Sequence, residues 1–274
     1  MQRLYYLCRP SRAPRTFDLA SAIHRTVLGQ VRERGFAVIP DYLDEAYCAR
    51  CRAEIDTMFA AHDRHVHKRE DWRIFGAEHL SPAVAQFHDP EFITLADAYT
   101  GHVNAMPFTL AARIAATGSQ TAGGGGWHRD GFMPELKTML YLNDVDTENG
   151  PFEIVEGSHR REVVIADMKV AGLKFLPNRI GAEVDALIRL RPERSMVVTA
   201  KAGTLIVFDT STIHRGTPVR SGVRYALTNY IIDQRQVSEE TLMHYAPLFR
   251  GPNDVVQRTT PSSLQQDRYR HVTR

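Results

Sequence analysis

The stretch Thr204-Leu-Ile-Val-Phe-Asp-Thr-Ser-Thr212 places a short apolar run directly before a group of turn-forming residues. A run bounded in this way is typical of a buried β-strand. The same pattern recurs between residues 108 and 232, where Gly, Pro, Asn and Asp separate the runs. The runs are Phe108–Ala115, Thr138–Leu142, Phe152–Val155, Ser195–Val198, Thr204–Phe208 and Tyr225–Ile232. Regular short strands predict a β-sandwich or barrel, so we expect a mainly β core.

Helical periodicity precedes this β region. Apolar residues recur at helical spacing from Phe17 to Arg34, and Asp44 is a suitable N-cap for a second helix over Glu45–Ala61. Between them, Phe36–Ile39 predicts a short buried strand. Two short helical pieces are expected between residues 81 and 99, a mixed helix and loop insertion between 161 and 192, and one more helix at Ser238–Leu248.

These elements predict a single domain over residues 17–250, in which an N-terminal helical layer packs on a β core at about residues 108–232. Residues 1–16 are expected to form a basic N-terminal arm, because arginines and prolines recur there. Residues 251–274 are expected to form a polar C-terminal tail.

The composition excludes several classes of protein. The 274 residues are 43% hydrophobic and 24% charged, which is typical of a globular chain and not of a disordered or collagen-like one. The 34 basic and 32 acidic residues give a net charge of +2, which argues against a dedicated nucleic-acid binder. No apolar run reaches the length of about 18 residues that a membrane span needs, and no signal peptide is evident. The 3 cysteines do not suggest a disulfide scaffold, so we expect a cytoplasmic protein.

The sequence Gly123-Gly-Gly-Gly-Trp-His-Arg-Asp130 contains a candidate metal-binding motif. Residues two apart in an extended segment point to the same side, so His128 and Asp130 can converge on one cation. An imidazole and a carboxylate are two of the three ligands in the facial triad of non-heme Fe(II) oxygenases. By itself an H-x-D motif more often marks an ordinary loop. A candidate third ligand is His214, which follows the strand Thr204–Phe208 and a turn.

Arg224 opens the apolar run Tyr225–Ile232. An arginine at the start of a core strand is costly to bury unless it is paired. Its guanidinium offers a two-pronged donor to a carboxylate. That carboxylate can belong to a protein Asp or Glu, or to the distal end of a small diacid.

Taken together, these segments resemble the phytanoyl-CoA dioxygenase family. The resemblance rests on His128-x-Asp130, on Glu148-Asn-Gly-Pro-Phe-Glu-Ile-Val-Glu-Gly-Ser-His159, on His214-Arg-Gly-Thr-Pro218 with Arg224, and on the opening segment Gly35–Asp44. It covers roughly residues 30–235. The family consists of Fe(II)- and 2-oxoglutarate-dependent oxygenases. The resemblance therefore implies a double-stranded β-helix, a cupin-like jelly roll, with helices packed on one side.

The resemblance also implies roles for individual residues. His128, Asp130 and His214 would be the iron ligands, and Arg224 would bind the side-chain carboxylate of 2-oxoglutarate. Family members often carry a Ser or Thr two residues after the distal histidine, but this position is Gly216 here. Candidates for the second cosubstrate contact are therefore Thr217, Tyr141 and Arg113, although Tyr141 can equally be a core aromatic. The segments Asn149–Pro151 and Gly157–His159 are expected to be structural.

The activity implied is hydroxylation of an unactivated C–H bond in a small molecule. It uses Fe(II), with 2-oxoglutarate and O2 as cosubstrates, and yields succinate and CO2. Halogenating relatives lack the carboxylate ligand, so Asp130 disfavours halogenation. We expect a polar or anionic substrate, such as a metabolite or a saccharide, and no nucleic-acid or membrane partner; the oligomeric state stays open. Two alternatives remain: a cupin-like metal dioxygenase or isomerase that does not use 2-oxoglutarate, and a non-catalytic jelly-roll binding protein.

Three further patterns have both a structural and a functional interpretation. His62, His65 and His67 predict a solvated loop, with a lid over the site or a second metal site as the alternatives. Cys48 and Cys51 predict thiols of a helix rather than a redox pair. The basic run from Arg160 to Arg194 predicts a solvated face, or else a rim that meets an anionic substrate.

Overall fold

The computed structural model describes residues 22–62, 65–68, 71–116, 126–173 and 180–238. Within these ranges the chain forms ten strands. They are β1 (Phe36–Ile39), β2 (His67–Lys68), β3 (Trp72–Phe75), β4 (Asn104–Ala115), β5 (Leu136–Tyr141), β6 (Phe152–Val155), β7 (Ser195–Val198), β8 (Leu205–Asp209), β9 (His214–Gly216) and β10 (Val223–Asp233). A seven-stranded sheet has the order β1-β8-β5-β10-β4-β3-β2, and a three-stranded sheet has the order β7-β6-β9. All the pairings are antiparallel.

Six α-helices lie within the same ranges. They are α1 (Ala22–Arg34), α2 (Glu45–Ala61), α3 (Pro82–Phe87), α4 (Glu91–Thr100), α5 (Arg161–Ala171) and α6 (Ala182–Leu190). The first four bury their apolar residues against one face of the large sheet, which we call the outer face. Leu140, Val207 and Leu227 are the sheet's contribution to this layer. Helices α5 and α6 instead pack around Trp127 and Val155, beside the small sheet.

The opposite, inner face of the large sheet packs against the small sheet. Because side chains alternate along a strand, Met139 and Tyr141 of β5 point inward while Leu140 points outward. Phe208 of β8 joins them, and Phe152 and Ile154 of β6 complete the cluster from the small sheet. The predicted mainly β fold with flanking helices is thus confirmed, and the space between the two sheets is where a site can form.

Most of the predicted elements are confirmed, some with shifted ends. Helix α2 and strands β1, β6 and β7 have the bounds that the sequence predicts, whereas β4 begins at Asn104 and β10 runs from Val223 to Asp233. The insertion at 161–192 contains α5 and α6. Residues 1–21 and 239–274 lie outside the described residues, and with them the predicted arm, helix Ser238–Leu248 (except Ser238) and tail. No helix among the described residues is long and apolar enough to cross a membrane.

Strands β2, β3 and β9 are the strands that the sequence pattern missed. The segment from His62 to Asp71 was expected to be a polar loop, but His67 and Lys68 pair with Arg73 and Trp72 at the edge of the large sheet. An edge strand exposes much of its surface, so its side chains do not show the apolar run of a buried strand. Only Ile74 of β3 is fully buried in the outer layer.

We predict that Gly35→Ala destabilises the fold and disturbs the segment before β9. Gly35 has a φ of +94°, and a Cβ there would lie 2.5 Å from Thr212 Oγ1 and 3.0 Å from His159 Nδ1. Backbone strain plus this overlap should lower the free energy of unfolding by about 2–4 kcal/mol, measured by urea denaturation.

The matched control is Gly172→Ala. Gly172 also has a positive φ, +65°, but a Cβ there meets no atom within 4 Å. Its cost should be about 1 kcal/mol, from strain alone. Equal losses in the two variants would contradict the role assigned to the contact between Gly35 and Thr212.

Candidate metal and cosubstrate site

Two backbone hydrogen bonds bring His128 and His214 side by side. The N–H of His128 donates to the carbonyl of His214 at 3.0 Å, and the N–H of His214 donates to that of His128 at 2.9 Å. Two residues further on, the N–H of Asp130 donates to the carbonyl of Thr210 at 3.0 Å. The glycine-rich segment therefore ends in an extended stretch paired with the start of β9, and the two imidazole centroids lie 4.4 Å apart.

The side chains of His128, Asp130 and His214 each offer one ligand atom, and these three atoms lie within 4.8 Å of one another. The Nδ1 atom of His128 is 2.8 Å from the carbonyl oxygen of Gly126, and that of His214 is 2.8 Å from the carbonyl oxygen of Thr212. A carbonyl accepts, so each Nδ1 carries the proton and each Nε2 is the ring nitrogen whose lone pair can bind a metal. The geometry and the donor set fit a facial triad for Fe(II).

Burial of His214 and the charge of Lys137 beside Asp130 set the ionisation states of these two members of the triad. The pKa of His214 is lowered to about 4, mainly because burial disfavours the imidazolium, so the ring is neutral near pH 7. Burial alone would raise the pKa of Asp130, but the Lys137 ammonium 2.6 Å away and the two imidazoles outweigh it and hold that pKa well below its usual range. His214 therefore presents a neutral nitrogen, and Asp130 presents a carboxylate.

The residue between the two ligands of the H-x-D motif points away from them. Arg129 is buried and donates to the carbonyl of Ser158 at 2.6 Å and to that of Ser211. The Ser158 hydroxyl in turn accepts from the N–H of Ile213 at 2.7 Å, next to His214. His159 lies 3.0 Å from the carbonyl oxygen of Arg32 through Nε2. The segment Gly157–His159 thus supports the site rather than contributing ligands.

Arg224 lies on the inner face of β10 and is only 6% exposed. Its Nε and Nη1 atoms are buried and have no hydrogen-bond partner among the described residues. Burial lowers its pKa below the ordinary value, yet an arginine stays charged in proteins. Along the inner face of β10, Ala226 and Thr228 lie between Arg224 and Tyr230. Tyr230 pairs with Lys137 of β5 across the sheet. A buried guanidinium with unused donors fits the distal carboxylate of a small diacid.

Tyr141 lies between the two sheets, and its hydroxyl contacts backbone groups. It is fully buried, and burial raises its pKa to about 12. Its hydroxyl donates to the carbonyl of Val198 at 3.1 Å and accepts from the N–H of Phe152 at 2.8 Å. Tyr141 therefore links the large sheet to the small one. The hydroxyl of Thr217 likewise donates to the carbonyl of Pro151 at 3.0 Å, which closes the turn at residues 149–151.

Arg113 is not brought to the triad. It pairs across the sheet with Tyr225, on the outer face, whereas Arg224 pairs with Ile114 on the inner face. Its Nη1 lies 3.0 Å from Asp56 Oδ1 on α2, and its guanidinium lies over the Trp72 ring. The one-residue offset from Ile114 places Arg113 on the opposite side of the sheet from the site.

Two charged residues of the site were missed in the sequence. Lys137 lies on the inner face and contacts Asp130, and Glu135 precedes it on the same face. Burial raises the pKa of Glu135 to about 7. The signal was present, because a lysine inside the apolar run Leu136–Tyr141 breaks the pattern of a buried strand.

The remaining sequence patterns lie outside the triad. Among the described residues, only His128, Asp130 and His214 cluster as a metal site, so His62, His65 and His67 form none there. His67 is exposed on β2. Cys48 and Cys51 are buried in α2, and burial raises the pKa of their thiols to about 12 and 11, as expected for core thiols.

Two arginines of the basic run pair with neighbouring carboxylates. Arg194 makes a two-pronged ion pair with Asp167 at 2.6 and 3.1 Å, and Arg160 contacts Glu162 at 2.7 Å. Lys174 and Arg179 lie outside the described residues. The pairing of Arg194 ties α5 to the start of β7, so this arginine is structural.

Comparison with known families decides the classification. The family model for phytanoyl-CoA dioxygenase (PhyH) matches residues 31–225, well over half of the chain. The chain belongs to the phytanoyl-CoA dioxygenase family. This family uses Fe(II), 2-oxoglutarate and O2, so the chain is an Fe(II)/2-oxoglutarate-dependent dioxygenase. A comparison with curated protein sequences finds no match.

Solved structures support the same fold. The epimerase SnoN from nogalamycin biosynthesis, in complex with Fe3+, alpha ketoglutarate and nogalamycin RO, has a TM-score of 0.57 and 19% identity, covering 77% of this chain and 84% of that one. The carbocyclase SnoK from the same biosynthesis gives 0.57 and 19%, covering 81% and 88%. EctD from S. alaskensis, with 2-oxoglutarate and 5-hydroxyectoine, gives 0.57 and 16%, covering 82% and 84%. The fold of this dioxygenase is therefore the predicted cupin-like double-stranded β-helix.

We predict that Tyr141→Phe lowers stability and leaves the KM for 2-oxoglutarate unchanged. The change leaves the Phe152 N–H and the Val198 carbonyl without their partner, which should cost about 1–3 kcal/mol in urea denaturation. The control is Tyr225→Phe, whose hydroxyl contacts the exposed Asp56 at 2.9 Å and should matter less. A large rise in the KM with unchanged stability would instead make Tyr141 a cosubstrate ligand.

Proposed function

We propose that this dioxygenase hydroxylates an unactivated C–H bond of a polar or anionic small molecule, with His128, Asp130 and His214 as the iron ligands. Arg224 binds the distal carboxylate of 2-oxoglutarate. The observation that carries the proposal is the buried guanidinium with unused donors, on the inner face of the sheet that also carries Lys137, the partner of Asp130.

The bound iron and 2-oxoglutarate supply the oxidising chemistry, in which 2-oxoglutarate is converted to succinate and CO2 as O2 is consumed. The protein residues set the conditions for it. His128 and His214 donate through Nε2 because their Nδ1 protons are held by backbone carbonyls. Asp130 supplies the negative charge. Together, the three residues would hold Fe(II) on one side and leave its other side to the cosubstrates.

Apolar side chains limit the access of water to this site. The rings of Phe152 and Phe208 lie 5.5 and 5.4 Å from the ring of His214, and they stack with each other at 4.8 Å. Both belong to the cluster between the sheets. An apolar wall strengthens the attraction between Arg224 and a carboxylate, and it protects a reactive oxidant from side reactions. The carboxylate of Asp130 favours hydroxylation over halogenation, as the family resemblance implies.

The inner face also carries the features that support a polar or anionic substrate. Lys137 and Arg73 are cations on this face, and Arg73 is paired with Asp71 at 2.6 Å. An aromatic group of Phe75, Phe108 and Tyr230 lies beside Lys137, with ring centroids 4.8–6.1 Å apart. Each of these cations has a carboxylate partner, so aromatic faces beside paired charges suit a polar small molecule with a carbon skeleton.

The test is an anaerobic titration of the apo protein with Fe(II) and then 2-oxoglutarate, followed by visible absorption. We expect a weak charge-transfer band that requires both additions, because only chelation of iron by 2-oxoglutarate produces it. His128→Ala and Asp130→Ala should abolish the band. The control is Asp144→Ala, which removes an exposed carboxylate that pairs with Lys201, and it should leave the band intact.

The other outcomes separate the alternatives. Binding of Fe(II) with no band would contradict the use of 2-oxoglutarate and favour the cupin-like metal enzyme. Failure to bind any Fe(II) would favour the non-catalytic binding protein. With the band present, succinate formation in the presence of separate pools of anionic, neutral polar and apolar metabolites tests the substrate class, and stimulation by the apolar pool alone would contradict it.

We predict opposite effects of Arg224→Met on binding and on stability. Loss of the two-pronged contact should weaken 2-oxoglutarate binding about a hundredfold. The apo variant should unfold at a urea concentration at least as high as the wild type, because a buried unpaired charge has been removed. Calorimetric titration and urea denaturation measure the two effects.

Arg113→Met is the matched control, since Arg113 lies on the outer face and contacts Asp56. It should leave the affinity for 2-oxoglutarate unchanged. If Arg113→Met weakens binding and Arg224→Met does not, the assignment of the carboxylate site is wrong.

A further inference from the structure

Lys137 occupies an unusual place for a lysine. It lies in β5, the third strand of the seven-stranded sheet, and its cross-strand neighbours are Phe208 on one side and Tyr230 on the other. Its side chain is only 8% exposed. Burying an ammonium group in such a place is costly unless it is well paired, so its partners define its role.

Its partners are a metal ligand and an aromatic ring. Nζ lies 2.6 Å from Asp130 Oδ2 and 3.7 Å from the centroid of the Tyr230 ring. The Tyr230 ring contacts the ammonium as a cation–π partner and carries no full charge. Among the described residues, the Asp130 carboxylate is therefore the only group with a full negative charge in contact with the ammonium. Lys201 makes an ion pair with Asp144 of the same 2.6 Å length, but its side chain is 81% exposed.

The contact with Lys137 gives the two carboxylate oxygens of Asp130 different partners. Oδ2 accepts from Lys137, whereas Oδ1 lies 3.5 Å from Nε2 of His128, on the side where the three ligand atoms converge. A carboxylate whose second oxygen is held in this way presents one oxygen to a metal. Binding through both oxygens would use a coordination position that 2-oxoglutarate and O2 require.

The contact also changes the charge of the ligand set. Asp130 is the only carboxylate among the three candidate ligands, and the Lys137 ammonium compensates its charge. A positive charge held against a carboxylate opposes the binding of a divalent cation by that carboxylate. The same lysine thus orients the carboxylate and weakens the attraction of the site for the metal.

We propose that Lys137 is a positioning residue with two effects on the site. It holds Asp130 as a one-oxygen ligand, which keeps coordination positions open for 2-oxoglutarate and O2, and its charge lowers the affinity of the site for the metal. The proposal rests on the proposed function, because it requires a metal on His128, Asp130 and His214. It assigns to this lysine a role in the metal site rather than in packing alone.

The test compares the Co(II) affinity of the apo wild type with that of Lys137→Met and Lys137→Gln, by competition with a chromophoric chelator. Both variants are neutral at this position, so both should bind Co(II) about tenfold more tightly or better. A lysine that served only to pack the core would give the opposite result, since its loss would disturb the ligands and weaken binding. Lys201→Met is the control, and it should leave the affinity unchanged.

The absorption bands of bound Co(II) separate orientation from charge. The Gln side chain can still donate an N–H to Asp130 Oδ2, whereas the Met side chain cannot. With 2-oxoglutarate added, the Gln variant should keep the wild-type Co(II) spectrum, and the Met variant should show the weaker bands of a higher coordination number. Identical spectra in the Met variant and the wild type would overturn the positioning role.

The outcomes distinguish this inference from the proposed function. If the wild type binds no Co(II), the metal site itself is wrong and the inference falls with it. If the wild type binds Co(II) and neither neutral variant binds more tightly, only the inference is overturned. Thermal unfolding of the apo variants checks the fold, and the Gln variant decides the affinity comparison if the Met variant does not fold.

Discussion

The pair of backbone hydrogen bonds between His128 and His214 is the interaction on which the site depends. The two histidines are far apart in sequence, and only this bridge places their imidazoles in contact. The bridge fixes the direction of the extended segment, which places Asp130 on the same side as His128 and turns Arg129 to the other side. Everything that stabilises this pairing, including the buried Arg129 and the turn at Ser158, also stabilises the metal site.

The inner face of the large sheet provides the rest of the chemistry. Side-chain alternation along β5 places Lys137, Met139 and Tyr141 toward the small sheet, and each has a separate task. Lys137 contacts Asp130, Met139 fills the core, and Tyr141 joins the sheets. On β10 the same alternation separates Arg224 from its neighbour Tyr225, which faces α2. A single-residue slip of either strand would therefore empty the site.

The sequence was sufficient for the fold class and for the candidate triad, because both depend on local patterns. Apolar runs between turn residues predicted the strands, and the order of His128, Asp130, His214 and Arg224 identified the family. The side of the sheet on which a residue lies was harder to predict. Arg113 and Arg224 are both arginines in core strands, and only the register shows that one contacts Asp56 and the other faces the interior.

Long-range contacts account for the other differences. Strands β2 and β3 pair at a polar edge, where no apolar run marks them. Within the basic run from Arg160 to Arg194, Arg194 is neutralised by Asp167, a partner that the order of residues does not reveal. The role inferred for Lys137 depends on the contact of its ammonium with Asp130 at 2.6 Å, which the sequence pattern does not show. In each case, the partner in space decides the role of a charged residue.

The measurement that tests this account most directly is a crystal structure of the protein with Mn(II) and 2-oxoglutarate, grown without O2. The account predicts one metal ion bound by Nε2 of His128, Nε2 of His214 and a single oxygen of Asp130. It also predicts that the distal carboxylate of 2-oxoglutarate contacts the guanidinium of Arg224. A metal bound elsewhere, or a 2-oxoglutarate whose distal carboxylate lies away from Arg224, would contradict it.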